Sequence, residues 1–305
     1  MSSPHDVVII TGASRGFGRA CAVAFARALA SPPPPGAALT LALLGRDAAG
    51  LAATASEVAA AVPHARCVCH VADLSQLPSL SSVWSAVVAA VDGGGGSGAR
   101  WCRAVLINNA ASAGHVGLVR DDAAGGEGGL IAALEALTGA LAFNVASPWA
   151  LGALFAAELR ARGGGVEGTV VNVSSLAAVA PFATMGSYSV CKAARDMLHR
   201  VLAEEERGGG GGAGAGAGVD ASADAGAGCT LRTLSYAPGP MDTALQAEFR
   251  AAPSLHGATR DFFNGMAAQG TWVDQAESAG VCAALVVGGG FASGEHVDFY
   301  DARKK

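Results

Sequence analysis

The stretch DVVIITGASRGFGRA, residues 6–20, decides the fold class. DVVIIT reads as a short β-branched strand, GASRGFG breaks it with three glycines, and an alanine-rich helical stretch follows. Strand, glycine turn and helix start in succession present backbone N–H groups and the positive end of a helix dipole to a phosphate. The spacing Gly12-x-x-x-Gly16-x-Gly18 differs from the G-x-G-x-x-G dinucleotide fingerprint. A plain turn that needs glycines is the alternative reading of this element taken alone.

Outward from that stretch the chain keeps alternating. SPPPPG at 31–36 ends the first helix, because proline removes donors and blocks helix geometry. Residues 39–44 read as a second strand, followed by GRD. An acidic side chain at this point would bond the ribose 2′-hydroxyl of NAD, but Gly45 and Arg46 come first and Arg15 lies in the glycine turn. Two guanidiniums favour a 2′-phosphate, hence NADP(H). Asp47 pulls the other way, and a surface arginine is the bland alternative. Residues 66–71 form a third strand, with Asp73 after it placed to meet an adenine edge. Residues 76–91 are helical, 104–109 a fourth strand, 169–173 a fifth, 186–207 a helix, 231–236 a sixth strand and 296–300 a last short one. The helical stretch 130–160, with FNVAS in its middle, carries almost no charge, which predicts burial in the core or against a partner.

Strands alternating with helices give an α/β, Rossmann-type doubly wound parallel sheet of about seven strands with helices on both faces, one domain over residues 1–305. The low-complexity segments 31–37, 93–99, 163–168 and 208–228 each follow a helix and precede a strand. They are therefore expected at the amino ends of the strands, while ligands bind beyond the carboxyl ends. The Gly/Ala tract 208–228 reads as a flexible loop.

Chemistry concentrates in NVSSLAAVAPFATMGSYSVCK, residues 172–192. Tyr188 and Lys192 lie one helical turn apart on one face. A lysine ammonium there favours the phenolate and brings the phenol toward use as an acid near neutral pH. Lowering it by about three units takes about 4 kcal/mol, more than one charge supplies, so a cationic nicotinamide would have to help. Ser175 or Ser174 at the strand end can hold a substrate oxygen for that phenol. Alone, Y-x-x-x-K is also a common pair on a solvated helix face.

Composition narrows the classes. The chain is 51% hydrophobic but only 6% aromatic, so its core is built from Ala, Val and Leu, and a net charge of −5 gives no reason to expect nucleic acid. Seven cysteines with no C-x-x-C pair argue for a reducing compartment. Cys67, Cys69 and His70 lack zinc-ligand spacing and read as a buried strand, so no metal is expected. No stretch suggests a signal peptide or the length of a membrane span, which predicts a cytoplasmic protein without membrane association.

Together these residues resemble the short-chain dehydrogenase/reductase family: TGASRGFG, Asp73, NNAA where the family usually has NNAG, Asn144, Ser175, Tyr188 and Lys192. Ser175 lies 13 residues before Tyr188 (188 − 175), the family's usual spacing. The resemblance implies that Gly12, Ala13, Ser14, Arg15, Gly16, Phe17 and Gly18 hold NADP(H), with Arg46, Asp47, Asp73, Leu74, Asn109 and Lys192. It makes Tyr188 the proton donor and Ser175 the holder of the carbonyl oxygen. Lys192 would tune the tyrosine and bind the nicotinamide ribose, and Asn144 would keep a proton-relaying water. Gly239 and the run Met241, Asp242, Thr243, Ala244, Leu245 and Gln246 would close over the nicotinamide, and Ser174 would line the substrate site.

SSLAAVAPF, YSVCKAARDML, YAPGPMDT and SGEHVDFYD resemble more narrowly the branch of this family that reduces pterin side-chain carbonyls. That branch implies a homodimer and a pterin anchored by Asp298, whose carboxylate can accept two parallel hydrogen bonds from the pterin's amino and ring N–H groups. The poly-Gly/Ala inserts, the longer 241–274 region and Ala111 depart from the branch. Two rival readings are a general NADPH-dependent diketone reductase, with Asp298 structural, and a catalytically idle NADP-binding sensor.

Overall fold

A computed structural model describes residues 4–30, 38–93, 100–163, 165–207 and 230–304. Seven parallel strands form one sheet in the order β3-β2-β1-β4-β5-β6-β7. They are β1 (Pro4–Thr11), β2 (Ala38–Gly45), β3 (Arg66–Val71), β4 (Arg100–Asn108), β5 (Glu167–Val173), β6 (Thr230–Ala237) and β7 (Glu295–Asp298). The helices are α1 (Gly16–Leu29), α2 (Ala48–Ala61), α3 (Leu80–Val91), α4 (Gly126–Leu141), α5 (Ser147–Arg162), α6 (Gly186–Arg207), α7 (Ala244–Ala251), α8 (Gly257–Gln269), α9 (Gln275–Gly288) and the short α10 (Phe299–Ala302).

Burial explains why VVII is apolar without interruption. β1 lies between β2 and β4, so both of its faces are covered. Val8 and Ile10 join one core with Phe25, Leu51 and Cys282 of α1, α2 and α9. Val7 and Ile9 join the other with Trp84 and Phe155 of α3 and α5. The strand order reverses between β1 and β4, which opens a crevice at their carboxyl ends. Thr11 and Asn109 stitch that point together. The Asn109 and Ala110 N–H groups donate to Thr11 Oγ1 at 3.0 Å, and Asn109 Nδ2 donates to the carbonyls of Thr11 and Gly12 at 3.0 and 3.1 Å.

Four sequence expectations change. The terminal strand stops at Asp298, because its carboxylate accepts the Tyr300 N–H at 2.9 Å and caps α10. CVCH is a strand but not a buried one: β3 is at the sheet edge, and Cys69 is exposed. The stretch 130–160 is two helices joined by a π turn at Ala142–Ala146. In α4 only Ala140 is buried, and Leu130, Ile131 and Leu134 face outward. Lastly, the helical run Gly126–Arg162, 37 residues, is long and apolar enough by length and composition to cross a membrane. Glu135 and Glu158 interrupt the apolar letters of this run without interrupting the helix. Its α5 half packs Leu151, Phe155 and Leu159 into the core.

The segments 31–37, 94–99 and 208–228 lie outside the described residues. Their flanks, Ala30 and Ala38, Gly93 and Arg100, Arg207 and Thr230, stand where helices return to the amino ends of strands. The β5 strand begins at Glu167, two residues earlier than expected.

Candidate active site

A cleft of about 1280 Å³ opens at the carboxyl ends of the strands. Its first wall is the glycine turn. Gly12 and Gly16 take φ of +66° and +59°, conformations that side chains rarely adopt. A Cβ on Gly18 would meet the Gly12 carbonyl oxygen at 2.3 Å, so the turn and the helix start fit only as glycine. A Cβ on Gly16 would meet nothing nearer than Thr243 Cγ2 at 3.9 Å, because that side faces the cleft. Arg15 N-caps α1 without a side-chain cap bond, and the first turn holds no acidic residue. The helix start therefore presents orphan N–H groups to an anion.

The second wall separates the charges near β2. Arg15 and Arg46 both line the cleft. Asp47 lines it too, but its carboxylate accepts the Gly50 N–H at 3.1 Å and caps α2. Asp73 does not line the cleft: Ser75 holds its carboxylate through the backbone N–H at 3.0 Å and the hydroxyl at 2.8 Å. Those bonds, with Arg46 nearby, keep its pKa below the usual carboxylate value. Leu74, Ser14, Phe17 and Asn109 line the cleft, while Ala13 and Gly18 pack behind it.

The third wall holds the residues from which acid chemistry is expected. Ser174 and Ser175 follow β5, and Tyr188 and Lys192 project from α6 into the same cleft. The Ala177 N–H donates to Ser175 Oγ at 3.2 Å, which leaves the hydroxyl proton free to be directed elsewhere. Tyr188 is buried, packed edge-to-face on Phe249 at 5.1 Å between ring centroids. Burial pushes its phenol above the ordinary value, against the opposing pull of Ser175 and Arg195. The expected lowering by Lys192 is absent from the chain alone. Lys192 Nζ donates to the Val173 carbonyl at 2.6 Å and lies 5.5 Å from the Tyr188 ring centre. Burial, with the Arg195 charge, holds the Lys192 pKa well below its usual value.

Asn144 sits in the π turn and does not line the cleft. Its side chain is bound to Ser112: Oδ1 accepts the Ser112 N–H at 2.8 Å, and Nδ2 donates to the Ser112 carbonyl and hydroxyl at 3.2 Å.

Above the cleft, Gly239 (φ +82°) turns the chain after β6, and Met241 through Gln246 follow, with Thr243 capping α7. Gln246 Nε2 is buried without a partner. The family described as short chain dehydrogenase matches residues 6–210 of the sequence. The chain belongs to that family. Sepiapterin reductase of Xenopus laevis is 35% identical over 96% of this chain and 95% of its own. Sepiapterin reductase of Rattus norvegicus is 35% identical over 97% and 96%. In fold, the chain is similar to a solved short chain dehydrogenase/reductase from Saccharomyces cerevisiae at a TM-score of 0.69 and 22% identity, covering 97% of this chain and 96% of that one.

This short-chain dehydrogenase is thus an oxidoreductase of a family that uses NAD(P)(H). Two features of its site escaped the sequence reading. An apolar chamber beside Tyr188 is walled by Phe182, Met185, Phe249, Phe262, Phe263 and Met266. Its α7–α8 wall is held by Arg260, whose guanidinium donates to the carbonyls of Arg250, Ala252, Pro253 and Leu255 at 2.7 to 3.3 Å. Behind this wall of the cleft, Arg195 and Asp196 are buried in a polar network. The letters RD one turn after Lys192 were its only signal.

Proposed function

We propose that the protein reduces a pterin side-chain carbonyl with NADPH, in the manner of sepiapterin reductase. The observation that carries the reading is that Asp298, at the end of β7, lines the same cleft as Ser175 and Tyr188. A general carbonyl reductase has no need of a carboxylate there. Asp298 Oδ1 accepts the Tyr300 N–H, which aims the carboxylate and leaves it lone pairs for a pterin's amino and ring N–H groups.

The cleft's donors fit a dinucleotide. The orphan N–H groups of α1, the open side of Gly16 and the unpartnered Gln246 Nε2 suit its diphosphate and amide. Arg15 and Arg46 suit a 2′-phosphate, and Asp47, engaged as a helix cap, does not oppose it. When bound, the reduced nicotinamide supplies the hydride. Ser175 donates to the substrate carbonyl oxygen. Tyr188, held protonated by burial, gives its Oη proton to that oxygen as negative charge develops on it. The phenolate left behind is stabilised by the nearby Arg195 guanidinium.

Two wider statements complete the reading. Leu130, Ile131 and Leu134 of α4, Trp149 of α5, and Val190 and Met197 of α6 are exposed. A second copy of the chain would cover such surface and make a homodimer. The free thiols of Cys21, Cys67, Cys69, Cys102, Cys191 and Cys282 support a reducing, cytoplasmic setting. The test is NADPH oxidation by the purified protein with sepiapterin beside butane-2,3-dione. Turnover of sepiapterin at the higher kcat/KM supports the reading, and turnover of the diketone alone refutes it.

A further inference from the structure

The buried network behind the catalytic face centres on one carboxylate. Asp196 lies on α6 one turn after Lys192 and two after Tyr188, so the three form one stripe of the helix. Its Oδ1 accepts Ser174 Oγ at 2.6 Å and Asn172 Nδ2 at 2.8 Å, both from β5 and the residue just after it. Its Oδ2 lies 2.6 Å from His296 Nδ1. Burial works against the ionised form of Asp196, but the donors from His296, Ser174 and Ser235 outweigh it and keep the pKa low. A carboxylate only accepts, so His296 Nδ1 carries the proton and donates. Asp196 is 4% exposed, and the neighbouring Arg195 guanidinium, 0% exposed, donates to Asn172 Oδ1 at 2.7 Å and to the carbonyls of Asn108 and Ala110.

This geometry matters because of what His296 belongs to. Among the described residues β7 is the last strand of the sheet and pairs with β6 alone, through Leu234–Glu295, Ser235–His296, Tyr236–Val297 and Ala237–Asp298. Val297 is packed into the core on one face of the sheet. His296 and Asp298 share the other face, since side chains alternate along a strand. The His296–Asp196 bond ties that face of β7 to α6.

We infer that Asp196 and His296 are positioning residues: their bond fixes β7 against α6 and so sets the distance from the Asp298 carboxylate to Ser175 and Tyr188. The inference rests on the pterin reading of Asp298. It gives the enzyme a fixed span between the group that grips one end of the substrate and the groups that protonate the other. A short substrate held only at its carbonyl is indifferent to that span.

The experiment is a mutant cycle on the full chain, with sepiapterin and butane-2,3-dione as substrates. His296→Ala should raise KM for sepiapterin about tenfold with kcat held within about threefold, and leave kcat/KM for the diketone within about twofold. His296→Asn, whose amide N–H can replace Nδ1–H, should restore KM to within about threefold of wild type. The double variant His296→Ala/Asp298→Asn should be no worse on sepiapterin than Asp298→Asn alone, because one residue acts through the other. Amide hydrogen exchange over residues 296–299 should quicken in His296→Ala and not in His296→Asn. If Asp298→Asn changes sepiapterin KM and His296→Ala does not, this inference fails and the pterin reading stands. Equal losses on both substrates, multiplicative effects in the double variant, or unchanged exchange also overturn it. If Asp298→Asn leaves sepiapterin KM unchanged, the pterin reading itself falls, and the inference with it.

Discussion

Replacing Arg46 by Ala, alone and with Arg15→Ala, separates NADPH from NADH through the charges that line the cleft beside β2. A hydrogen bond to a charged group contributes about 1.5–3 kcal/mol. Both guanidiniums are near solvent, which screens them, so about 1–2 kcal/mol each is the appropriate scale. That corresponds to a rise in NADPH Kd of about five- to thirtyfold for one substitution, compounding when both are removed, with NADH Kd nearly constant. Asp47→Ala serves as the internal control. Because its carboxylate caps α2, it should cost about 1 kcal/mol of stability and leave the ratio of the two affinities alone. Fluorescence titration of both cofactors at low and raised salt reads all of this, and NADPH binding by the wild type should weaken with salt more than NADH binding. Equal losses for the two cofactors in Arg46→Ala would refute the assignment of these arginines to a 2′-phosphate.

Other consequences are as direct. Tyr188→Phe should lower kcat at least tenfold, about 1.4 kcal/mol of barrier or more, with NADPH affinity unchanged; a smaller loss removes Tyr188 as the acid. His199 is buried neutral with a pKa lowered to about 4, since burial disfavours its charge. The unfolded chain therefore binds that proton first, and stability present above pH 6.5 is lost as the pH falls toward 4. Urea unfolding at pH 7 and pH 5 should show about 2 kcal/mol of loss that His199→Gln abolishes. Replacing residues 209–227 by a short Gly/Ser linker should leave kcat/KM within about twofold, because Arg207 and Thr230 stand at the amino ends of the strands. A large loss in steady-state assays would contradict that placement.

The sheet was legible because its signal is local: β-branched runs, glycine turns and proline stops recur in strict alternation, and alternation dictates parallel pairing. The glycine turn and the Tyr188–Lys192 stripe were legible because their spacing is fixed within single elements. What depends on three dimensions was not. Asp47 reads as a ribose ligand, yet the start of α2 supplies an N–H that competes for it. Lys192 reads as the group that tunes Tyr188, yet in the folded chain burial dominates both and the ammonium turns to the Val173 carbonyl. HVDFY reads as a strand until the Asp298 side chain caps the turn that follows. The Asp196 network joins residues 172, 174, 196 and 296, and no window of sequence contains them all.

In the proposed function the Asp298 carboxylate turns a general short-chain reductase cleft into a pterin site. Asp298→Asn tests it most directly, because asparagine keeps the bond to the Tyr300 N–H that caps α10 while removing the charge. Measured as NADPH oxidation, the account predicts a rise of about ten- to a hundredfold in KM for sepiapterin, an unchanged kcat/KM for butane-2,3-dione and an unchanged melting temperature. A wild-type protein that does not turn over sepiapterin, or a variant that loses both substrates equally, would contradict it.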